Sequence, residues 1–268
     1  MQLWTRAFVA LPLVAVALAC RSGPHQDEAP HAFGDVRSEG RTSTLEAAQS
    51  APAAHAAEPA RAKPANRDPK GQPDVDRYIA LLESAERQKE LKVDLVIAKL
   101  ELPRDAAVGD LGCGPGLFTL ALAVACPDGV VFASDIEPAQ IDRVRERVEE
   151  RGLRNVVPVL ASTNDPRFPR QALDLVFVAD TYHHLEDRIA YFKQLKDVLR
   201  PGGRLAIVEY KPGKLPVGPP PDHKLPDGLM DRELERAGWV LIDRFNTHAY
   251  HEFEVWRPRK PWESPAGD

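Results

Sequence analysis

Cysteine is nearly absent from this chain: three residues in 268 are too few for the paired framework that holds small secreted folds together. Long apolar runs are missing as well. The longest, residues 7–19, has 13 residues, whereas a helix crossing a bilayer needs roughly 20, so a polytopic membrane protein is excluded. There is no surplus of positive charge either. Lys and Arg number 35 against 40 Asp and Glu, a net charge of -5, which leaves no electrostatic footprint for nucleic acid. A GxSxG elbow, and with it a hydrolase nucleophile, is also lacking. What remains is ordinary globular material, 43% hydrophobic and 28% charged, with 25 prolines that are spread unevenly.

The first twenty residues stand apart. Arg6 supplies a positive start, residues 7–19 an apolar stretch, and Leu18-Ala19-Cys20 follows it. At 1.5 Å per residue this stretch is too short for a span of roughly 30 Å and reads as a signal peptide, residues 1–20. Its end resembles a bacterial lipobox, which implies a lipidated Cys20 and a membrane-anchored, exported lipoprotein. A plain secretory signal is the alternative. Residues 21–73 then hold seven prolines and twelve alanines, with Phe33, Val36 and Leu45 as their large apolar residues. Such a segment cannot offset its ordering entropy by burial, so it is expected to be a disordered linker.

Residues 74–259 have the length of one domain, with 260–268 as a tail. Leu81, Leu82, Leu91, Leu95, Val96 and Leu100 recur at helical spacing, predicting an amphipathic helix over 78–100. Thereafter short apolar strands (106–111, 130–135, 156–161, 173–179, 204–210) alternate with helical stretches (117–125, 138–151, 188–199). That alternation predicts a parallel sheet covered on both faces. The end departs from it: a short helix over 229–238 precedes strands at 239–246 and 250–257, joined by three residues. So short a connection joins antiparallel neighbours, which puts one reversed strand near the edge.

The strongest chemical signal is Asp110-Leu111-Gly112-Cys113-Gly114-Pro115-Gly116, between the first of these strands and its helix. Glycines there let the backbone turn sharply and approach a ligand, at the strand end where open α/β sheets bind one. A dinucleotide fingerprint would need a third glycine where Leu117 stands, and no Gly-Lys-Ser/Thr follows for a phosphate loop.

This segment resembles motif I of class I S-adenosylmethionine (SAM)-dependent methyltransferases, of the type 11/25-like group. The likeness continues through Ser134-Asp135-Ile136-Glu137-Pro138, Leu199-Arg200-Pro201-Gly202-Gly203-Arg204-Leu205 and Ala237-Gly238-Trp239. It implies an α/β, Rossmann-like seven-stranded sheet, mostly parallel with the last strand antiparallel, and SAM as cofactor. It further implies that Gly112, Gly114 and Gly116 shape the cofactor turn, that Asp135 holds the ribose diol, and that Ile136 faces adenine. Asp110 would hold the methionine portion. Ser162 stands where related enzymes carry an acid for the adenine amino group, and Asp165 is the residue that could reach back to it. Asp180-Thr181-Tyr182-His183-His184 lies where that fold presents the acceptor, which makes Asp180 a site residue and His183, His184 and Tyr182 catalytic candidates. Methyl transfer needs only alignment, however, so a general base is not obligatory, and the histidines have pocket packing as their alternative role.

Cys113 and Cys126 are separated by a helix of roughly 20 Å and cannot pair. His248 and His251 at strand spacing fall on opposite faces, which argues against a shared metal. The proline-rich segment 211–226 is expected to be a lid carrying His223. A small-molecule or lipid acceptor fits better than nucleic acid, and the lipidated Cys20 would supply membrane contact. An exported SAM-fold binding or scaffold protein without turnover is the other reading.

Overall fold

The computed structural model describes residues 74–264. The expected signal peptide, linker and last tail residues lie outside them. In chain order the elements are α1 Val75–Leu82, α2 Ala85–Leu91, α3 Val93–Leu100, β1 Ala107–Leu111, α4 Leu117–Ala125, β2 Val130–Asp135 and α5 Pro138–Glu150. They continue with β3 Val156–Leu160, β4 Leu173–Ala179, α6 Arg188–Leu195, β5 Leu199–Tyr210, α7 Leu229–Arg236, β6 Trp239–Phe245 and β7 His251–Pro258.

The seven strands form one sheet in the order β3-β2-β1-β4-β5-β7-β6. β1 pairs in parallel with β2 and β4, and β5 in parallel with β4. β7 inserts between β5 and β6 and runs antiparallel to both. The expected mixed Rossmann-like sheet with its reversed last strand is therefore present. Because the order runs 3-2-1 in one direction and 4-5 in the other, a crevice opens at the carboxyl ends of β1 and β4, the ligand position in open α/β sheets.

Both faces are buried. On one, Phe192, Leu195, Leu234 and Trp239 pack between the sheet and helices α6 and α7, and the Trp239 indole N–H donates to the Phe192 carbonyl at 2.9 Å. On the other, α3 and α4 bring Val96, Leu100, Phe118 and Leu122 against Val108, Phe177 and Phe253.

Two sequence expectations are corrected. The single helix over 78–100 is three short helices. Ser84 breaks it by capping α2, its Oγ accepting the Arg87 N–H at 3.3 Å, and Lys92 then takes a left-handed conformation, φ +46°. Apolar spacing detects the common face but not the caps that bend the chain around it. The fifth strand begins at Leu199 rather than 204, since Pro201-Gly202-Gly203 joins its start through a register shift opposite Leu173 and Leu175.

Candidate functional site

The glycine turn is tied directly to the end of β2. Gly112 and Cys113 donate their N–H groups to the Ser134 carbonyl at 2.8 and 3.0 Å, and Gly114 donates to Asp135 Oδ2 at 2.9 Å. Gly112 has φ +69°, and a Cβ on it would overlap the Thr181 side chain. Thr181 follows β4 and donates its hydroxyl to the Gly112 carbonyl at 3.3 Å. Gly114 has φ +53°, and among the described residues Leu82 Cδ1 lies 3.5 Å from a hypothetical Cβ. The close approach of Thr181 at Gly112 and left-handed backbone at both positions explain the glycines.

Asp110 is buried at the end of β1 and accepts the Thr119 hydroxyl at 2.6 Å. Burial pushes its carboxyl up to about 7, with the Thr119 bond pulling the other way. Asp135 is also raised by burial, offset in part by the Glu137 and Gly114 N–H groups. Its Oδ2 accepts the Gly114 N–H at 2.9 Å and its Oδ1 the Glu137 N–H at 3.0 Å. A carboxylate has about four acceptor positions, so a vicinal diol can be bound without displacing either. Ile136, beside it, is 58% exposed and offers an apolar face. These residues fit SAM: a diol acceptor, an apolar platform and a turn without side chains occupy adjacent strand ends, with an acid beneath.

Ser162 does not extend the cleft. It forms a tight bridge with Asp165, and its hydroxyl lies 3.0 Å from Asn164 Oδ1. Asp165 is exposed and turned to the Arg167 N–H at 2.7 Å, so neither side chain reaches back as an adenine partner. The 162–165 turn satisfies its own polar groups.

Among the acceptor-side candidates, Tyr182 is fully buried against Phe192. Its hydroxyl donates to Glu233 Oε2 at 2.9 Å, beside the Arg188–Glu233 ion pair, so it anchors α7 and is corrected from catalytic to structural. His183 Nδ1 stands 2.9 Å from Glu209 Oε1, and the His184 ring packs on His183 with centroids 4.0 Å apart. Asp180 is buried and held by Arg87 at 2.7 Å, with His251 Nε2 at 3.2 Å from its other oxygen. Burial works against its charge, but His251 and Arg87 outweigh it and hold the carboxyl below the ordinary range. Asp180 therefore spends its charge on protein partners rather than facing the cofactor turn alone.

The sequence reading missed the cap made by α1 and α2. Glu83 pairs with Arg143 of α5 at 2.7 Å, Leu82 lies at Gly114, and Arg87 bonds Asp180 and the Tyr210 hydroxyl, the latter at 3.1 Å. Tyr78 of α1 feels Arg87, Asp135 and Asp180, and burial raises its phenol. The cap thus touches both halves of the crevice. Nothing in an amphipathic stretch distinguishes Arg87 from a solvated charge. Glu209 did leave a signal: it is a lone acid inside the apolar strand run of residues 205–210, and buried acids are kept for a partner.

The histidines at 248 and 251 are also corrected. His248 lies in the turn before β7, so strand alternation does not apply to it; both rings are buried, with centroids 6.0 Å apart. His248 Nε2 lies 2.9 Å from the Leu91 carbonyl. In the 211–226 segment His223 is exposed, and Lys224 is the residue turned inward, donating to the Gly213 carbonyl at 3.2 Å.

Residues 108–203 match the family model described as a methyltransferase domain. The chain is 34% identical over 146 residues to an aklanonic acid methyltransferase of Streptomyces sp. (strain C5), covering 52% of this chain and 65% of that protein. It is 32% identical over 142 residues to a 27-O-demethylrifamycin SV methyltransferase of Amycolatopsis mediterranei (strain S699), covering 52% and 50%. The chain thus spans between half and just under two thirds of the length of these relatives. A SAM dependent methyltransferase from Aquifex aeolicus superposes with a TM-score of 0.64 at 25% identity, covering 67% of this chain and 96% of the other. The sheet order, the glycine turn and these likenesses agree: residues 108–203 match a methyltransferase domain, set in a fold shared with a SAM dependent methyltransferase.

Proposed function

We propose that the protein transfers the methyl group of SAM to a small-molecule acceptor bound beneath the α1–α2 cap. The observation that carries this is the convergence, at three neighbouring strand ends, of the glycine turn, Asp135 and the buried Asp180–Arg87 pair. Bound SAM supplies an electrophilic methyl on a sulfonium. On the protein's side, Asp135 holds a diol, Gly112 and Gly114 keep the turn open, and Asp110 balances positive charge. Arg87 and Tyr210 close the acceptor end, where water exclusion and alignment favour transfer. Both curated relatives are named as methyltransferases of small organic molecules, which favours such an acceptor over a macromolecule; a lipid is the other member of that class. Calorimetric titration of the full chain with SAM and S-adenosylhomocysteine tests the reading. Micromolar binding is expected, and absence of binding by folded protein refutes it. The scaffold alternative predicts binding without product when extracts of small molecules are offered with labelled SAM.

The same protein is proposed to be exported and held to a membrane by lipid on Cys20. Support comes from the order Arg6, apolar stretch, Ala19-Cys20 and linker; among the described residues no helix is long and apolar enough to cross a membrane. More than one acyl chain would give stable anchoring. Cys20→Ser is expected to release the protein from membranes, and mass spectrometry finding an unmodified Cys20 or an intact Met1 refutes the anchor.

A further inference from the structure

Lysine and arginine are seldom buried unless a counter-charge accompanies them. Among the described residues two are buried, Arg147 and Lys224. Arg147 donates to the Pro115 carbonyl at 2.8 Å and has Glu83 Oε1 at 3.5 Å. Lys224, 7% exposed, meets only a carbonyl and a ring: it donates to the Gly213 oxygen at 3.2 Å, and its Nζ stands 5.6 Å from the centre of the Tyr210 ring. An ammonium has three donors, so two of them find no oxygen among the described residues. Burial lowers this ammonium from the ordinary lysine value, and no carboxylate pulls the other way. Acids of the same region face other partners. Asp231 and Glu254 pair with Arg244, and Asp222 has His223 Nε2 at 3.8 Å.

The place of Lys224 ties it to the acceptor end. The 211–226 segment leaves β5 at Tyr210 and folds back over that ring, where a Cβ on Gly218 would overlap it and Lys224 stands above it. The Tyr210 hydroxyl in turn accepts Arg87 Nη1 at 3.1 Å. Segment, strand end and cap therefore meet there. Of the two cations they bring, Arg87 is neutralised by Asp180 at 2.7 Å and Lys224 by nothing in the described chain. We propose that the acceptor carries a carboxylate and that Lys224 pairs with it, which makes Lys224 the residue selecting acidic acceptors. This rests on the methyltransferase reading above. The carboxylate supplies the missing counter-charge and accepts the free donors, and the pair gains from being shielded from water. An acceptor of the same shape with an amide in that place leaves the ammonium uncompensated, so the choice is made by charge rather than by size.

Calorimetric titration of the full chain, saturated with S-adenosylhomocysteine, with benzoate and with benzamide tests the charge at constant shape. Benzoate is expected to bind about tenfold more tightly, the scale of one hydrogen bond to a charged group. The preference should vanish in Lys224→Met, which keeps the length of the side chain, and persist in Lys224→Arg, which keeps its charge. Equal affinities, no measurable benzoate binding, or a preference that survives in Lys224→Met overturns the proposal. So does a Lys224→Met variant that weakens both probes equally, the result expected if Lys224 only clamps its segment to Tyr210. Nitrogen NMR of the native chain carrying 15N-lysine needs no variant. Benzoate, and not benzamide, should shift the Lys224 Nζ signal, and a shift confined to other lysines overturns the assignment. Failure of S-adenosylhomocysteine to bind would instead refute the methyltransferase reading, while the two probes offered to the free chain still decide the role of Lys224.

Discussion

Acidification from pH 7 to pH 5 is expected to weaken SAM binding by up to about 10²-fold, because Asp110 changes charge in that interval. Its carboxyl is 2% exposed, and burial lifts it to about 7. A sulfonium ligand with an ammonium group brings positive charge to the adjacent turn and favours the carboxylate. Below the midpoint each pH unit then costs about tenfold in affinity, or about 1.4 kcal/mol. Burial raises the Asp135 carboxyl as well, with the Glu137 and Gly114 N–H groups pulling the other way. In the unliganded protein the sign is opposite. The folded carboxyl lies above its ordinary value of 3.8, so the folded state keeps a proton that the unfolded state has released, and stability falls as pH rises from about 4 to about 7. Calorimetry between pH 5 and 7 in buffers of different ionisation enthalpy reads the proton released on binding, and denaturant unfolding of the unliganded protein reads the other slope. Asp110→Asn should flatten both slopes. Affinity that does not change with pH in the native protein, or a slope unaltered in the variant, refutes the assignment of Asp110.

Two further substitutions probe the cofactor and acceptor halves. Asp135→Ala should weaken SAM by about 1.5–3 kcal/mol, the scale of hydrogen bonds to a charged group. Asp135→Asn, which keeps an acceptor for the Gly114 N–H, separates loss of the diol contact from loosening of the turn; unchanged calorimetric affinity in both would place the ribose elsewhere. Arg87→Ala removes one side of a buried pair whose other side, Asp180, is 5% exposed. It should cost about 3 kcal/mol in denaturant unfolding, the low end for such pairs because Arg87 keeps some exposure. A change below about 1 kcal/mol would mean that His251 alone suffices for Asp180.

Legibility followed the range of the interactions. Strand positions, the reversed β7 and the glycine turn could all be read from the sequence, because periodicity, a three-residue connection and left-handed backbone are properties of adjacent residues. The place of Asp135 in the fold could be read for the same reason, since it stands at the end of β2 and three residues before the start of α5. Tyr182 was misjudged because its neighbours in sequence are polar, while its partners are Glu233 and Phe192 on α7 and α6. Arg87 was invisible: it meets residues 93 and 123 positions away, and nothing in a short amphipathic helix marks one charge as buried.

This division maps onto chemistry. The matched methyltransferase segment, residues 108–203, contains Asp110, the glycine turn and Asp135, the groups proposed above to hold SAM. Arg87, Glu209, Tyr210 and His251 lie outside it, on α2, β5 and β7. They converge on Asp180 and His183, which the segment contributes at the end of β4. The acceptor end is therefore built where a shared strand end is enclosed by elements from the two flanks. Altering the β5 end should change acceptor choice while leaving SAM affinity largely intact, since no hydrogen bond described at the glycine turn or at Asp135 comes from it.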